Sequence, residues 1–145
     1  SGKNYSNDAE LITAHKKTAQ QNFLRAVETN LLLLKANGVQ AIVSLQPMLV
    51  LRNTAHLSPT EKAFLHKDET INILYPQVLS YLQALSAKYQ VPFVDLNPTF
   101  NTSTLSQKQL LIDYCHLSPL GGETVANALL PSVDSIFVKS NINLN

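Results

Sequence analysis

From Asp8 to Asn37, apolar residues return at helical intervals. Ile12, Ala19, Phe23, Val27, Leu31 and Leu34 share one face, while Lys16, Lys17, Gln20, Gln21, Arg25 and Glu28 fall mostly on the others. Ser6 or Asn7 can cap the start. Asn37-Gly38 supplies the stop, because glycine accepts the left-handed backbone that follows a last turn. A helix of that whole length would run ~45 Å, so its first turns are the part most open to being loop. Val39 to Leu45 follows at once. It is short, β-branched and apolar on both faces, which predicts a strand covered on both sides. Gln46-Pro47 ends it, and Met48 to Leu57 reads as an apolar-rich loop without a period.

Ser58-Pro59-Thr60-Glu61 predicts a helix start: Ser58 as cap, Pro59 at the first helical position, Glu61 completing a capping box. Helical character continues to about Tyr89, with Pro76 expected to divide it, since proline deletes a donor and clashes with the preceding turn. The second piece places Val78, Tyr81, Leu82 and Leu85 on one face. Val91 to Leu96 is the second predicted strand, with Pro92 near its first residue, where it costs least. A short helix is expected around Leu105–Leu111. Pro119 opens a last helix whose stripe is Val125, Leu129, Val133, Ile136 and Phe137, with a kink at Pro131 and a frayed polar tail from Asn141.

Helices alternating with double-sided apolar strands predict an α/β class with a parallel sheet covered on both faces. Two strands are few for three long helices, because a typical sheet has ~4–6 strands. The expectation is therefore one domain, residues 1–145, that forms the C-terminal part of a larger α/β domain. A second chain or a segment outside these residues would complete the sheet. The alternative is a small mixed domain with strands that the pattern does not reveal.

Composition narrows the classes. The chain has 145 residues, 45% hydrophobic and 14% charged, which suits a packed core and not a disordered chain or a charge-rich coiled coil. A net charge of +1 without a basic block offers no footprint for nucleic acid or for an anionic membrane surface. No apolar run approaches the ~20 residues of a transmembrane helix. One cysteine leaves no internal disulfide and excludes a zinc site built on cysteines, and the four histidines lack metal-ligand spacing. No metal and no cofactor are expected. The compartment stays open.

The chemistry concentrates in Asp113-Tyr114-Cys115-His116-Leu117-Ser118-Pro119-Leu120-Gly121, a predicted turn before the last helix. A separation of three lets the Asp113 carboxylate fold back on the His116 imidazole, fix its tautomer and leave the other nitrogen free to take a proton from a hydroxyl. The plain alternative is an Asp and a His that only cap a turn. Cys115 beside His116 invites a thiol nucleophile, but neighbours on a turn usually point apart, so a small buried apolar role is expected. Ser44 lacks a sharp glycine-lined turn and Ser118 reads as a helix cap. Met48, Leu49, Val50, Leu51, Leu57 and Phe64 are expected either to line a hydrophobic site beyond a strand's carboxyl end or to cover a core edge. Asn4-Tyr5-Ser6 and Asn101-Thr102-Ser103 match the short glycosylation pattern.

The wider D-x-x-H-L-S-P-x-G pattern before a terminal amphipathic helix resembles the last block of the SGNH (GDSL) hydrolases. Leu31 to Gly38, then Ala41 to Leu45 with Gln46-Pro47, and Val91 to Leu96 resemble that family's later α/β units. The resemblance spans roughly residues 20–138. It implies a three-layer α/β/α sandwich, flavodoxin-like, around a parallel sheet that is incomplete here. It implies hydrolysis or transfer of ester-linked acyl groups on small esters, lipids or acylated sugars. His116 would be the general base and Asp113 its orienting partner. It also inclines toward a secreted or extracytoplasmic location. The family's G-D-S nucleophile block does not occur in the chain, nor does the glycine block of the oxyanion hole. Tyr5-Ser6-Asn7-Asp8 echoes the G-x-N-D block, with Asn7 in the donor's place. The expected nucleophile therefore lies outside these residues, and this segment alone is expected to turn over little ester. The rival expectation is a non-catalytic α/β binding or interaction module.

Overall fold

The structure, a computed structural model, describes residues 8–65 and 69–142. The readings placed on Asn4, Ser6, Asn7 and His66, and on the His15 side chain, lie outside the described residues. The chain divides into two compact units, Ser1–Val39 and Gln40–Asn145.

The first unit carries helix α1, Asp8–Ala36, helical from its first described residue rather than entering as loop. Its stop is the expected one. Gly38 takes φ +68, Val39 N–H donates to the Leu34 carbonyl (2.9 Å) and Gly38 N–H to that of Lys35 (3.1 Å). These are the two bonds of a Schellman cap, which satisfy carbonyls the helix would otherwise leave bare.

The second unit holds strand β1 (Val43–Leu45), helices α2 (Pro59–Phe64) and α3 (Glu69–Tyr89), strand β2 (Phe93–Asp95) and helix α4 (Pro119–Ile142). The two strands pair in parallel, Val43 with Phe93 and Leu45 with Asp95. The α/β order is thus present, with a sheet of two short strands among the described residues. Both strands are shorter than their apolar runs. The capping box at Ser58 forms as expected: its hydroxyl accepts from Glu61 N–H (3.3 Å) and Glu61 Oε2 accepts from Ser58 N–H (2.9 Å).

Three expectations fail locally. Pro76 lies inside continuous α3 and divides nothing; the helix that starts at Pro59 instead stops at Leu65, where the backbone turns extended. Next, α4 continues to Ile142, past the point from which fraying was expected, with Pro131 inside it. Both prolines are exposed, so the carbonyl four residues back can turn to water rather than be left unsatisfied. Finally, the expected helix around 105–111 is a 3₁₀ turn at Ser103–Leu105, a turn at 106–107 and then chain without regular structure, with Leu111 bridging antiparallel to Leu117. The amides of Leu110 and Leu111 both donate to the Glu61 carboxylate (3.0 Å each), so they are not available for helical bonds.

On α3, Leu82 and Leu85 are buried and Val78 and Tyr81 half-buried, as the periodicity predicts. On α4, Val125, Leu129, Val133 and Ile136 are half-buried, but Phe137 is 64% exposed. The main apolar cluster contains no residue of either strand. Leu49, Leu57, Phe100, Leu110 and Leu111 are buried together, with Leu65, Leu105, Leu117, Leu120 and Val125 packed against them. Of the loop candidates for a hydrophobic site, Leu49 and Leu57 are therefore core. Met48, Val50 and Leu51 are half-buried and Phe64 is exposed. No described helix is long and apolar enough to cross a membrane.

Candidate active site

The site rests on a buried ion pair. Arg52 Nη1 lies 2.5 Å from Glu61 Oε1, with both side chains almost fully out of water. The rest of the guanidinium is shared among carbonyls: Nε donates to Phe100 (3.2 Å), Nη1 to Lys108 (3.4 Å), and Nη2 to His56 (3.3 Å) and Leu105 (3.4 Å). Burial pushes the Glu61 carboxyl up, and the amides of Ser58, Leu110 and Leu111 outweigh it, holding the group below its usual range. A buried charge is tolerable only when paired and hydrogen-bonded, and here both conditions hold. One carboxylate thus ties α2 to the chain at 110–111.

That chain carries the candidate site. From Leu110 to Ile112 it runs beside 116–118: Ile112 N–H donates to the His116 carbonyl (2.9 Å) and Ser118 N–H to that of Leu110 (2.9 Å). Ser118 then caps α4, accepting from Gly121 N–H (3.0 Å), so it serves as a helix cap, as expected. Gly121 lies so close that a Cβ there would stand 2.0 Å from the Leu110 carbonyl oxygen.

The turn between them is anchored beyond the carboxyl end of β1. Gln46 Nε2 donates to the Cys115 carbonyl (2.7 Å), and Leu49 N–H to that of Tyr114 (3.0 Å). Buried Asn97, just past β2, binds the two strand ends together. Its Oδ1 accepts from Met48 N–H (3.0 Å) and its Nδ2 donates to the Gln46 carbonyl (3.1 Å) and to Asp95 Oδ1 (3.0 Å). The other oxygen of Asp95 accepts from the Tyr75 hydroxyl, whose pKa is raised by burial and then by that carboxylate.

Within the turn, Asp113 and His116 meet. Asp113 Oδ1 accepts from the amides of Cys115 (2.9 Å) and His116 (2.8 Å), and Oδ2 lies 2.6 Å from His116 Nδ1. The two amides, followed by the ring contact, lower the Asp113 carboxyl from an ordinary 3.8 to about 2. It is therefore ionised at neutral pH and can only accept, so Nδ1 carries the proton. In the neutral ring Nε2 then holds the lone pair. It has no hydrogen-bond partner among the described residues, on a side chain 67% exposed. Turn capping and ring orientation are thus performed together by one carboxylate.

The neighbours differ from expectation. Cys115 is only half-buried, and its Sγ comes within 3.8 Å of His116 Nδ1 rather than pointing away. The short turn pulls both side chains to the side where the carboxylate lies. Tyr114 is exposed, edge-on to the His116 ring at 6.3 Å; its phenol is pushed up, first by the charge of Cys115. Ser44 lies exposed on β1. Asn101, the described glycosylation candidate, is held by both ends of its amide: Nδ2 donates to the Leu51 carbonyl (3.0 Å), and Oδ1 accepts from Asn53 N–H (2.6 Å).

Sequence reasoning missed Arg52, Asn97 and the second role of Glu61. An arginine directly after the apolar run Met48 to Leu51, followed nine residues later by an acid in a first helical turn, is the one signal that pointed there. No protein-family model and no curated protein sequence matches the chain.

Proposed function

We propose that the chain contributes the acid–base half of a serine ester hydrolase or acyltransferase of the SGNH type. The observation that carries this reading is the Asp113–His116 contact of 2.6 Å, with Nε2 unpartnered among the described residues, on a turn anchored beyond the carboxyl end of a parallel strand. Open α/β sheets bind their ligands at that end. In this reading β1 and β2 belong to a larger parallel sheet with helices on both faces, completed by a segment outside these residues. That segment supplies the nucleophilic serine. His116 Nε2 takes the hydroxyl proton as the serine oxygen attacks the acyl carbonyl of a small ester, lipid or acylated sugar. Nε2–H then returns the proton to the leaving alkoxide. Water or an alcohol, deprotonated by the same nitrogen, resolves the acyl-enzyme. Asp113 holds the ring and stabilises the imidazolium. General-base assistance of this kind is worth ~10²–10⁴ in rate.

A fluorophosphonate probe applied to the polypeptide that carries these residues tests the reading. The expected result is covalent labelling of one serine, slowed ~10²-fold or more in His116→Ala. Unlabelled protein with intact circular dichroism would instead indicate a non-catalytic α/β module.

A further inference from the structure

Asp113, Cys115 and His116 each offer one donor atom, and all three atoms lie within 4.8 Å of one another. We propose that this turn is a binding site for a zinc-type divalent cation, held by Asp113 Oδ2, Cys115 Sγ and His116 Nδ1. Carboxylate, thiolate and imidazole are the donor classes that zinc accepts. Metal–ligand bonds of ~2.0–2.3 Å at tetrahedral angles put neighbouring donors roughly 3.3–3.6 Å apart. The Sγ to Nδ1 distance of 3.8 Å is already close to that, and the Oδ2 to Nδ1 contact of 2.6 Å has to open by less than the width of an atom.

The backbone of the turn is held independently of these three atoms. The Cys115 carbonyl is bound by Gln46 (2.7 Å), the Tyr114 carbonyl by Leu49 N–H (3.0 Å), and Asp113 Oδ1 by two amides. Oδ2, Sγ and Nδ1 are what remains to face a cation, and the exposure of His116 leaves room for water as a fourth ligand. On binding, the Cys115 thiol proton passes to water as the sulfur–metal bond forms. The ring keeps one proton, which moves through solvent from Nδ1 to Nε2. The cation therefore removes the lone pair that the proposed general base needs. Metal binding stands on the geometry alone; its antagonism to catalysis rests on the function proposed above.

Cobalt(II) titrated into the chain tests the site, because a thiolate ligand gives a charge-transfer band in the near ultraviolet. The expected result is a band that saturates at one equivalent, is absent in Cys115→Ser, and needs at least ~10-fold more cobalt in His116→Ala and in Asp113→Asn. Asparagine keeps an oxygen for the two turn amides, so that variant retains the turn. Zinc should displace cobalt and bleach the band. No band at one equivalent overturns the proposal, as does a band unchanged in both His116→Ala and Asp113→Asn, which would mark simple thiol binding. A cobalt site in the chain, with no fluorophosphonate labelling of the longer polypeptide that carries it, would sink the hydrolase reading and leave the metal site standing.

Discussion

At Asp113 the two carboxylate oxygens are divided, one to the backbone and one to the His116 ring. The division makes the ring's orientation depend on an ionised acid. A carboxyl depressed to about 2 contributes stability to the turn that is fully present above its ordinary value of 3.8, and that is lost as pH falls through about 2. Carbon-13 titration of the Asp113 carboxyl should show a midpoint near 2 in the folded chain; a midpoint at its ordinary value would mean that the ring and amide contacts do not persist in solution. This pair was legible in the sequence because its partners are three residues apart and meet within one turn. Arg52 and Asn97 were not. Arg52 reaches Phe100, Leu105 and Lys108, about fifty positions along the chain, and Asn97 reaches back to Gln46 and Met48. Spacing carries no trace of such contacts.

Among the elements, the first turn of α4 and the strip at Leu110 are packed without space between them. Gly121 is required there by close approach rather than by an unusual backbone angle. Gly121→Ala should push the Leu110 carbonyl aside and destabilise the chain by ~1–3 kcal/mol in urea unfolding, as overpacking does. Because Ser118 N–H donates to that same carbonyl, the variant should also perturb the Ser118 amide resonance. Unchanged stability would mean that the helix and the strip are less closely packed than described. Capping signals were readable for α1 and α2, since a cap is settled by residues within one turn of each other. Strand length and the conformation around 105–111 were not, because distant partners for those amides decide them.

Over the molecule as a whole, the Arg52–Glu61 pair joins the loop after β1, helix α2, the 3₁₀ turn at Ser103–Leu105 and the strip that leads to the candidate site. Glu61→Ala strands a buried guanidinium and three buried amides, those of Ser58, Leu110 and Leu111. It should cost about 3–5 kcal/mol in denaturant unfolding, the usual consequence of breaking a buried pair from one side. A loss below ~1 kcal/mol, the range of exposed pairs, would show that water reaches Arg52. The amino-acid order by itself determined the alternation of helices and strands, the helix caps and the pairing of Asp113 with His116, all matters of neighbours within a few residues. Only the tertiary structure decided where proline interrupts nothing, which loop leucines become core, and that a buried charge pair supports the turn. Those outcomes depend on which distant groups compete for each amide, carbonyl and apolar surface. The order of residues lists the competitors, and folding selects among them.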